Sequence, residues 1–239
     1  MITNNQKKFV KSLGQKKFRT EHNCFVVEGV KLVNELLQSD FEVVDIYATS
    51  DWIEKNSSVD VEQVSSKDLA IMSSFKSANE VLAVVKQKQY HDIDYSEQLT
   101  IALDNVQDPG NMGTIVRTAD WFGIKSIVCS KDSVDLYNPK VIQATMGSIF
   151  RVDVYYTDLI DYLSNKKNVV YAATLNGKNI YKQKLQKESA VILMGNESRG
   201  ISSELLSLVN EEISIPRIGE AESLNVATAT AILCAEFTK

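Results

Sequence analysis

Three short stretches of the chain carry side chains able to do chemistry. In LDNVQDPGNMGTIVRTADWFG, Leu103 to Gly123, Pro109, Gly110 and Gly113 surround Asn111, and a lone arginine, Arg117, follows among Ile115, Val116, Ala119, Trp121 and Phe122. MGNESRG, from Met194, sets Glu197 and Arg199 between Gly195 and Gly200. IPRIGEAESLN, from Ile215, ends on Ser223, Leu224 and Asn225. All three Pro and eight of the ten Gly fall from Pro109 onward, so glycine is concentrated where these polar groups are. No Gly-Lys-Ser/Thr follows any of them, which excludes a P-loop, and DPGNMGTIV lacks the spacing of a dinucleotide fingerprint. The glycines are expected instead to let backbone approach backbone, or a flat ligand, closely.

Each residue also has a plain structural reading. Arg117 can pair with Asp120, three residues on, for only ~0.2–0.5 kcal/mol. Asn111 stands where a helix N-cap is wanted, and Ser223 and Asn225 stand in the same relation to the last helix, with Glu222 complementing its dipole. Glu197 can complement the first turn of the following helix, and Arg199 can be a solvated charge. Gly177, in TLNGKN, follows Asn176 in a dipeptide that favours tight turns.

The elements that must hold these residues follow from apolar patterning. Strands are predicted at LTIALDN, IKSIVCS, FRVDVYY, NVVYAATL, SAVILMG and EEISIP, with helices at Met112–Phe122, Pro139–Ile149, Asp158–Lys166, Ser202–Val209 and Asn225–Phe237. Near-continuous apolar strands alternating with helices predict an α/β domain built on a buried parallel sheet. Before it, strands at CFVVEG, FEVVDIYAT and EVLAVVKQ alternate with helices at VKLVNELLQS, DWIEKN and SKDLAIMSSF, the last capped by Ser66. The expected organisation is a small α/β domain over 1–88, a polar linker over 89–98 and a second α/β domain over 99–239.

Composition narrows the class. With 239 residues, 44% hydrophobic and 24% charged, the chain can bury a real core. No apolar run reaches the ~18–20 residues of a membrane helix, and the start is not a signal peptide. Cys24, Cys129 and Cys234 match no metal spacing and read as reduced, half-buried thiols. His22 and His91 are the only histidines, so neither a histidine-based metal site nor a catalytic triad is expected, and no metal is assigned. The net charge is −5, yet residues 1–20 hold Lys7, Lys8, Lys11, Lys16, Lys17 and Arg19 and no acid. Such a segment is either a solvated, frayed tail or an element that meets a polyanion.

The three stretches, in this order, resemble the three motifs of the SpoU/TrmH branch of the SPOUT RNA methyltransferases. The resemblance spans Leu99 to Lys239 and includes MGSIFRV, Met146 to Val152. It implies an α/β domain with a deep trefoil knot, S-adenosylmethionine as cofactor, methyl transfer to a ribose 2′-hydroxyl, and a homodimer with the final helix at its interface. It assigns catalytic roles to Arg117, Asn111, Glu197, Ser223 and Asn225, with Arg117 acting on the 2′-hydroxyl either as base or as stabiliser of the developing alkoxide. A guanidinium is a poor base at neutral pH. Matching positions for the cofactor are Gly195, Ile215 and Leu224, with Thr174, Leu175 and Gly177. KKFRTEHNCFVVEGVKLVNELL resembles a ribosomal-protein-like RNA-binding module, which makes Lys7, Lys8, Lys16, Lys17 and Arg19 expected RNA contacts, together with Arg199. Ser198 stands where glycine or alanine is frequent in the family, and Arg217 where an apolar residue is common.

The expected function is a cytoplasmic RNA 2′-O-methyltransferase, with ribosomal RNA favoured over transfer RNA. The rival readings are a tRNA 2′-O-methyltransferase, a base-methylating relative, and an inactive RNA-binding or assembly protein that keeps the fold.

Overall fold

A computed structural model of the chain describes residues 2–75, 77, 79–88, 98–187 and 189–239; apart from Gln98, the expected linker lies outside them. The first elements are α1 (Asn4–Ser12), α2 (Lys16–His22), β1 (Cys24–Glu28), α3 (Val30–Leu36), β2 (Val43–Ala48), α4 (Ser50–Lys55), β3 (Glu62–Gln63), α5 (Ser66–Met72) and β4 (Val81–Lys86). There follow β5 (Thr100–Leu103), α6 (Pro109–Trp121), β6 (Ser126–Ser130), α7 (Pro139–Thr145), β7 (Asp153–Thr157), α8 (Leu159–Ser164) and β8 (Val169–Asn179). β9 (Ala190–Met194), α9 (Ser203–Leu206), β10 (Glu211–Ser214) and α10 (Val226–Thr238) complete the chain. Among the described residues no helix is long and apolar enough to cross a membrane.

The chain divides into two compact units, Met1–Gln89 with Asp135–Phe150, and Tyr90–Val134 with Arg151–Lys239. The first has a four-stranded sheet in the order β1-β4-β2-β3, with β4 antiparallel to both its neighbours. Its basic N-terminus is not a frayed tail. Thr3 and Gln6 form a capping box on α1, and Ile2, Val10 and Leu13 are buried with Val26, Leu69 and Leu82. The cap of α5 is Ser65, which accepts from the Asp68 N–H, one residue before the expected Ser66.

Asp135–Phe150 groups by contact with this unit. Gln143 Nε2 donates to Glu28 O at 2.7 Å, and the rings of Tyr137 and Phe150 meet Phe25 and Phe41. The helix predicted at Pro139–Ile149 stops at Thr145, because Met146 and Gly147 take positive φ of 52° and 100°.

The second unit is a six-stranded, all-parallel sheet in the order β10-β8-β9-β5-β6-β7. Its central strands β5 and β9 are buried at every residue, as a sheet covered on both faces requires. The predicted strands are all present. The order is what matters for a site: the chain leaves β5 toward β6 and β7, then returns to build β8, β9 and β10 on the other side. The direction reverses between β5 and β9, and a ligand crevice is expected beyond the carboxyl ends of that pair.

Candidate active site

The carboxyl ends of β5 and β9 are Leu103 and Met194, and the loops that leave them are stitched together. Asp104 donates its N–H to Met194 O at 2.8 Å, and Ser202 N–H donates to Asp104 Oδ2 at 2.9 Å. Asn196 Nδ2 donates to Asn105 O at 2.7 Å, while Asn196 Oδ1 accepts from the N–H groups of Ser198 and Arg199. A backbone pair between Asn196 and Gly200 closes the turn that carries Glu197. This fold-back requires glycine at 195. A Cβ there would lie 2.3 Å from Gly200 C and 2.5 Å from Ile201 N.

On the β5 side, the helix begins earlier than apolar spacing suggests. Asp108 is the N-cap of α6, its Oδ1 accepting from Asn111 N–H at 2.8 Å, and Pro109 fills the first turn. Asn111 is therefore not a cap, and its side chain is released for another purpose. Its Nδ2 donates to Glu197 Oε1 at 2.9 Å, and its Oδ1 accepts from Asn225 Nδ2 at 2.9 Å. Asn225 caps α10 as expected, its Oδ1 accepting from Ala227 and Thr228 N–H. One residue from each of the three stretches thus joins a single hydrogen-bonded chain. Glu197 spends its carboxylate there and not on the helix that follows, which starts at Ser203.

Arg117 is exposed on α6, about one and two-thirds turns beyond Asn111. It does not pair with Asp120. That carboxylate is taken by Arg151, at 2.9 Å to both Nε and a terminal nitrogen. Among the described residues the Arg117 guanidinium has no ion-pair partner, so a surface salt bridge does not account for it.

The remaining expected positions do not join this chain. Ser223 is exposed and Leu224 is half exposed, just before the α10 cap. Gly177 lies inside β8 and not in a turn. β10 pairs Glu212 with Ala172 and then Ile213 with Lys178, so residues 173–177 bulge from the ladder. A Cβ on Gly177 would lie 2.5 Å from Ile213 C, and Ser214 Oγ donates to Gly177 O. Thr174 Oγ1 donates to Glu212 Oε2 on the same bulge, Leu175 is exposed and Ile215 is half-buried. Arg199 is exposed.

Two of the basic residues expected to meet RNA are consumed inside the first unit. Arg19 is buried; it donates to the carbonyls of Leu13 and Gly14 and pairs with Asp135. Lys7 Nζ lies 2.9 Å from Asp68 Oδ1, between α1 and α5. With the Ser65 hydroxyl, Lys7 holds the Asp68 carboxyl below the usual carboxylate range. Lys8, Lys16 and Lys17 are exposed. Sequence reasoning passed over Asp104, Asp108 and Asn196, which hold the loops that follow β5 and β9. The Asp-Pro pair at 108–109 was the available signal for one of them.

The comparisons with known proteins agree on a family. The profile described as the SpoU rRNA Methylase family matches residues 98–235, and an MRM3-like substrate binding domain matches residues 4–83. The chain is 31% identical, over 93% of its length and 92% of the relative's, to 23S rRNA (guanosine(2553)-2′-O)-methyltransferase RlmP of Bacillus subtilis. Among solved structures it resembles a TrmH-family protein from Porphyromonas gingivalis, at TM-score 0.91 and 38% identity over 99% and 98% of the two chains. An AdoMet-bound rRNA methyltransferase from Sinorhizobium meliloti matches at TM-score 0.89 and 30% identity, over 99% and 95%.

Proposed function

The chain belongs to the SpoU rRNA methylase family, and from that premise we propose that it transfers a methyl group from S-adenosylmethionine to a ribose 2′-hydroxyl of ribosomal RNA. The observation that carries the reading is the Asn225–Asn111–Glu197 chain, which closes three distant motifs into one site on the helix that presents Arg117. The named relatives support ribosomal over transfer RNA.

The residues present fit the cofactor. Among the described residues, the backbone of Ile215–Leu224 enters no backbone–backbone hydrogen bond, and Leu175, Ile218 and Leu224 are exposed. Backbone amide donors and acceptors beside aliphatic surface are what an adenosine moiety needs. Thr174, Leu175, Gly177, Gly195, Ile215 and Leu224 would hold it, between the β8 bulge and the Asn225 cap. When bound, S-adenosylmethionine supplies a methyl activated by its sulfonium.

Arg117 brings a guanidinium to the site, and its role in this reading is to stabilise the negative charge that develops on the 2′-oxygen as it takes the methyl and gives up its proton to solvent. Glu197 has one oxygen held by Asn111, which leaves the other to accept from the substrate ribose. Asn225 anchors both, because its carbonyl oxygen is committed to the start of α10. Ser223 and Arg199 complete the substrate side, and Lys8, Lys16 and Lys17 of the substrate-binding unit supply phosphate contacts.

The same reading extends to assembly and topology. α10 is apolar along most of its length, burying Val226, Ala227, Thr230, Leu233, Cys234 and Phe237 while Ala231 and Ile232 stay partly exposed and Thr228 is exposed. That outer face is assigned to a homodimer contact. The chain returns from edge strand β10, past the β8 bulge, to Asn225 beside Asn111, a course that suits a trefoil knot. In this reading the enzyme acts in the cytoplasm.

The test is transfer of labelled methyl from S-adenosylmethionine to deproteinised ribosomal RNA, with transfer RNA alongside. After alkaline hydrolysis, a 2′-O-methyl leaves label in an alkali-resistant dinucleotide. Label in mononucleotides would instead mean base methylation, and no label in either RNA would defeat the enzymatic reading.

A further inference from the structure

The outer stripe of α6 carries a residue that neither packing nor the site explains. Gly110, Thr114, Arg117 and Trp121 recur at helical spacing on its exposed side, opposite Met112, Ile115, Val116 and Ala119, which are buried. Trp121 is 84% exposed, while the only other tryptophan, Trp52, is 1% exposed. A large aromatic so uncovered loses the apolar burial that usually holds it in a protein. It stands four residues, about 6 Å of helix rise, beyond Arg117.

The surroundings of Trp121 are cationic. Arg117 precedes it by one turn, exposed Lys125 follows the helix, and Arg151 lies over the neighbouring Asp120. Arg117 and Lys125 have no ion-pair partner among the described residues, which suits a phosphodiester strand, and an aromatic face beside them suits an unstacked base. A second copy of this chain would bring the same cations onto each other, which opposes self-pairing through this stripe.

Building on the proposed RNA-methylating function, we infer that Trp121 stacks on a nucleobase neighbouring the methylated nucleotide, while Lys125 contacts an adjoining phosphate. Trp121 holds the strand so that the target ribose reaches Arg117. It is a positioning residue for the RNA.

Tryptophan emission tests this directly, since Trp52 is shielded. The full-length protein is titrated with deproteinised ribosomal RNA, and with heparin as a polyanion that has no bases, while binding is followed in parallel by filter retention. RNA is expected to quench the emission and heparin is not. Trp121→Phe should lose the quench but retain binding, and Trp121→Ala should weaken RNA binding by roughly 5- to 100-fold, the range of a lost base stack, with cofactor affinity unchanged. Bound RNA without quenching overturns the inference. So does emission of the free protein that shifts to the red on dilution to monomer, which would place Trp121 in a subunit contact. Methyl transfer by the wild-type protein is measured on the same RNA. If it occurs while the quench does not, only the stacking assignment falls; if it is absent, the functional reading itself has failed.

Discussion

Asn225 Nδ2 lies 2.9 Å from Asn111 Oδ1, and the direction of that hydrogen bond is set by a helix cap. Asn225 Oδ1 is committed to the first N–H groups of α10, so only its amide nitrogen is left to face Asn111. Asn111 must then turn its oxygen to Asn225 and its nitrogen to Glu197. A stability device at one end of the chain thereby orients a carboxylate at the other.

Asn225→Asp keeps the cap and removes the donor. The helix should remain, with a melting temperature near wild type. Asn111 is then expected to turn its amide toward the new carboxylate at position 225 and present its oxygen to Glu197, which repels that side chain. Methyl transfer should fall by about 10²-fold, the scale of a displaced reacting group. Single-turnover transfer beside a thermal melt measures both effects, and equal losses in rate and stability would contradict this account.

Arg117→Ala and Arg117→Lys should both abolish transfer while melting temperature and cofactor binding stay unchanged, because Asp120 already has Arg151. Losing a group that stabilises transition-state charge costs on the order of 3–4 kcal/mol, and lysine lacks the planar fork. A variant retaining more than about a tenth of the rate would put less than ~1.4 kcal/mol at stake and return the arginine to a structural role.

Gly195→Ala and Gly177→Ala place a Cβ 2.3 Å and 2.5 Å from backbone carbons that cannot step aside as a side chain would. Each should destabilise the protein by at least the ~1–3 kcal/mol of an overpacked core, read as a shifted urea midpoint. Wild-type stability in either would mean that the close strand passage relaxes.

The basic N-terminal residues should separate into two groups. Replacing Lys8, Lys16 and Lys17 by Gln should lower the salt slope of RNA binding by roughly 2–3 in total at unchanged stability. Lys7→Gln and Arg19→Met should leave the slope alone and lower the melting temperature. For Lys7→Gln the sign with pH follows from Asp68. Its carboxyl titrates below its ordinary 3.8 in the folded protein, so its stabilisation is present above 3.8 and is lost as pH falls through the folded value. The gap from wild type should therefore be full at pH 7 and close in acid.

Burial pushes the Cys234 thiol up to about 12, and raises Cys24 and Cys129 as well. All three are free and buried, where half-buried thiols were expected. Alkylation at pH 8 should be slow in the native protein and complete in denaturant; rapid native labelling would show that the cores open locally.

Much of this protein is determined by the sequence alone. The apolar runs of the second unit became its strands, because a strand buried on both faces must be apolar along its length. Asn225 was recognisable as a cap, and the glycine-rich stretches as places of close approach, since both depend on a few neighbouring residues. Local rules reached less far elsewhere. Asn111 looked like a cap until Asp108 and Pro109 took that place, and Gly177 looked like a turn until β10 ran past it. Lys17 and Arg19 are alike in charge and two residues apart, yet one is exposed and the other is buried against Asp135. Tertiary structure decided those cases, together with the grouping of Asp135–Phe150 with the first unit. The Asn225–Asn111–Glu197 chain is the clearest instance, because its links span 86 and 114 residues. Caps and periodicity act over a turn or a strand, whereas bringing Asn111, Glu197 and Asn225 within hydrogen-bond reach depends on the order in which six strands pack.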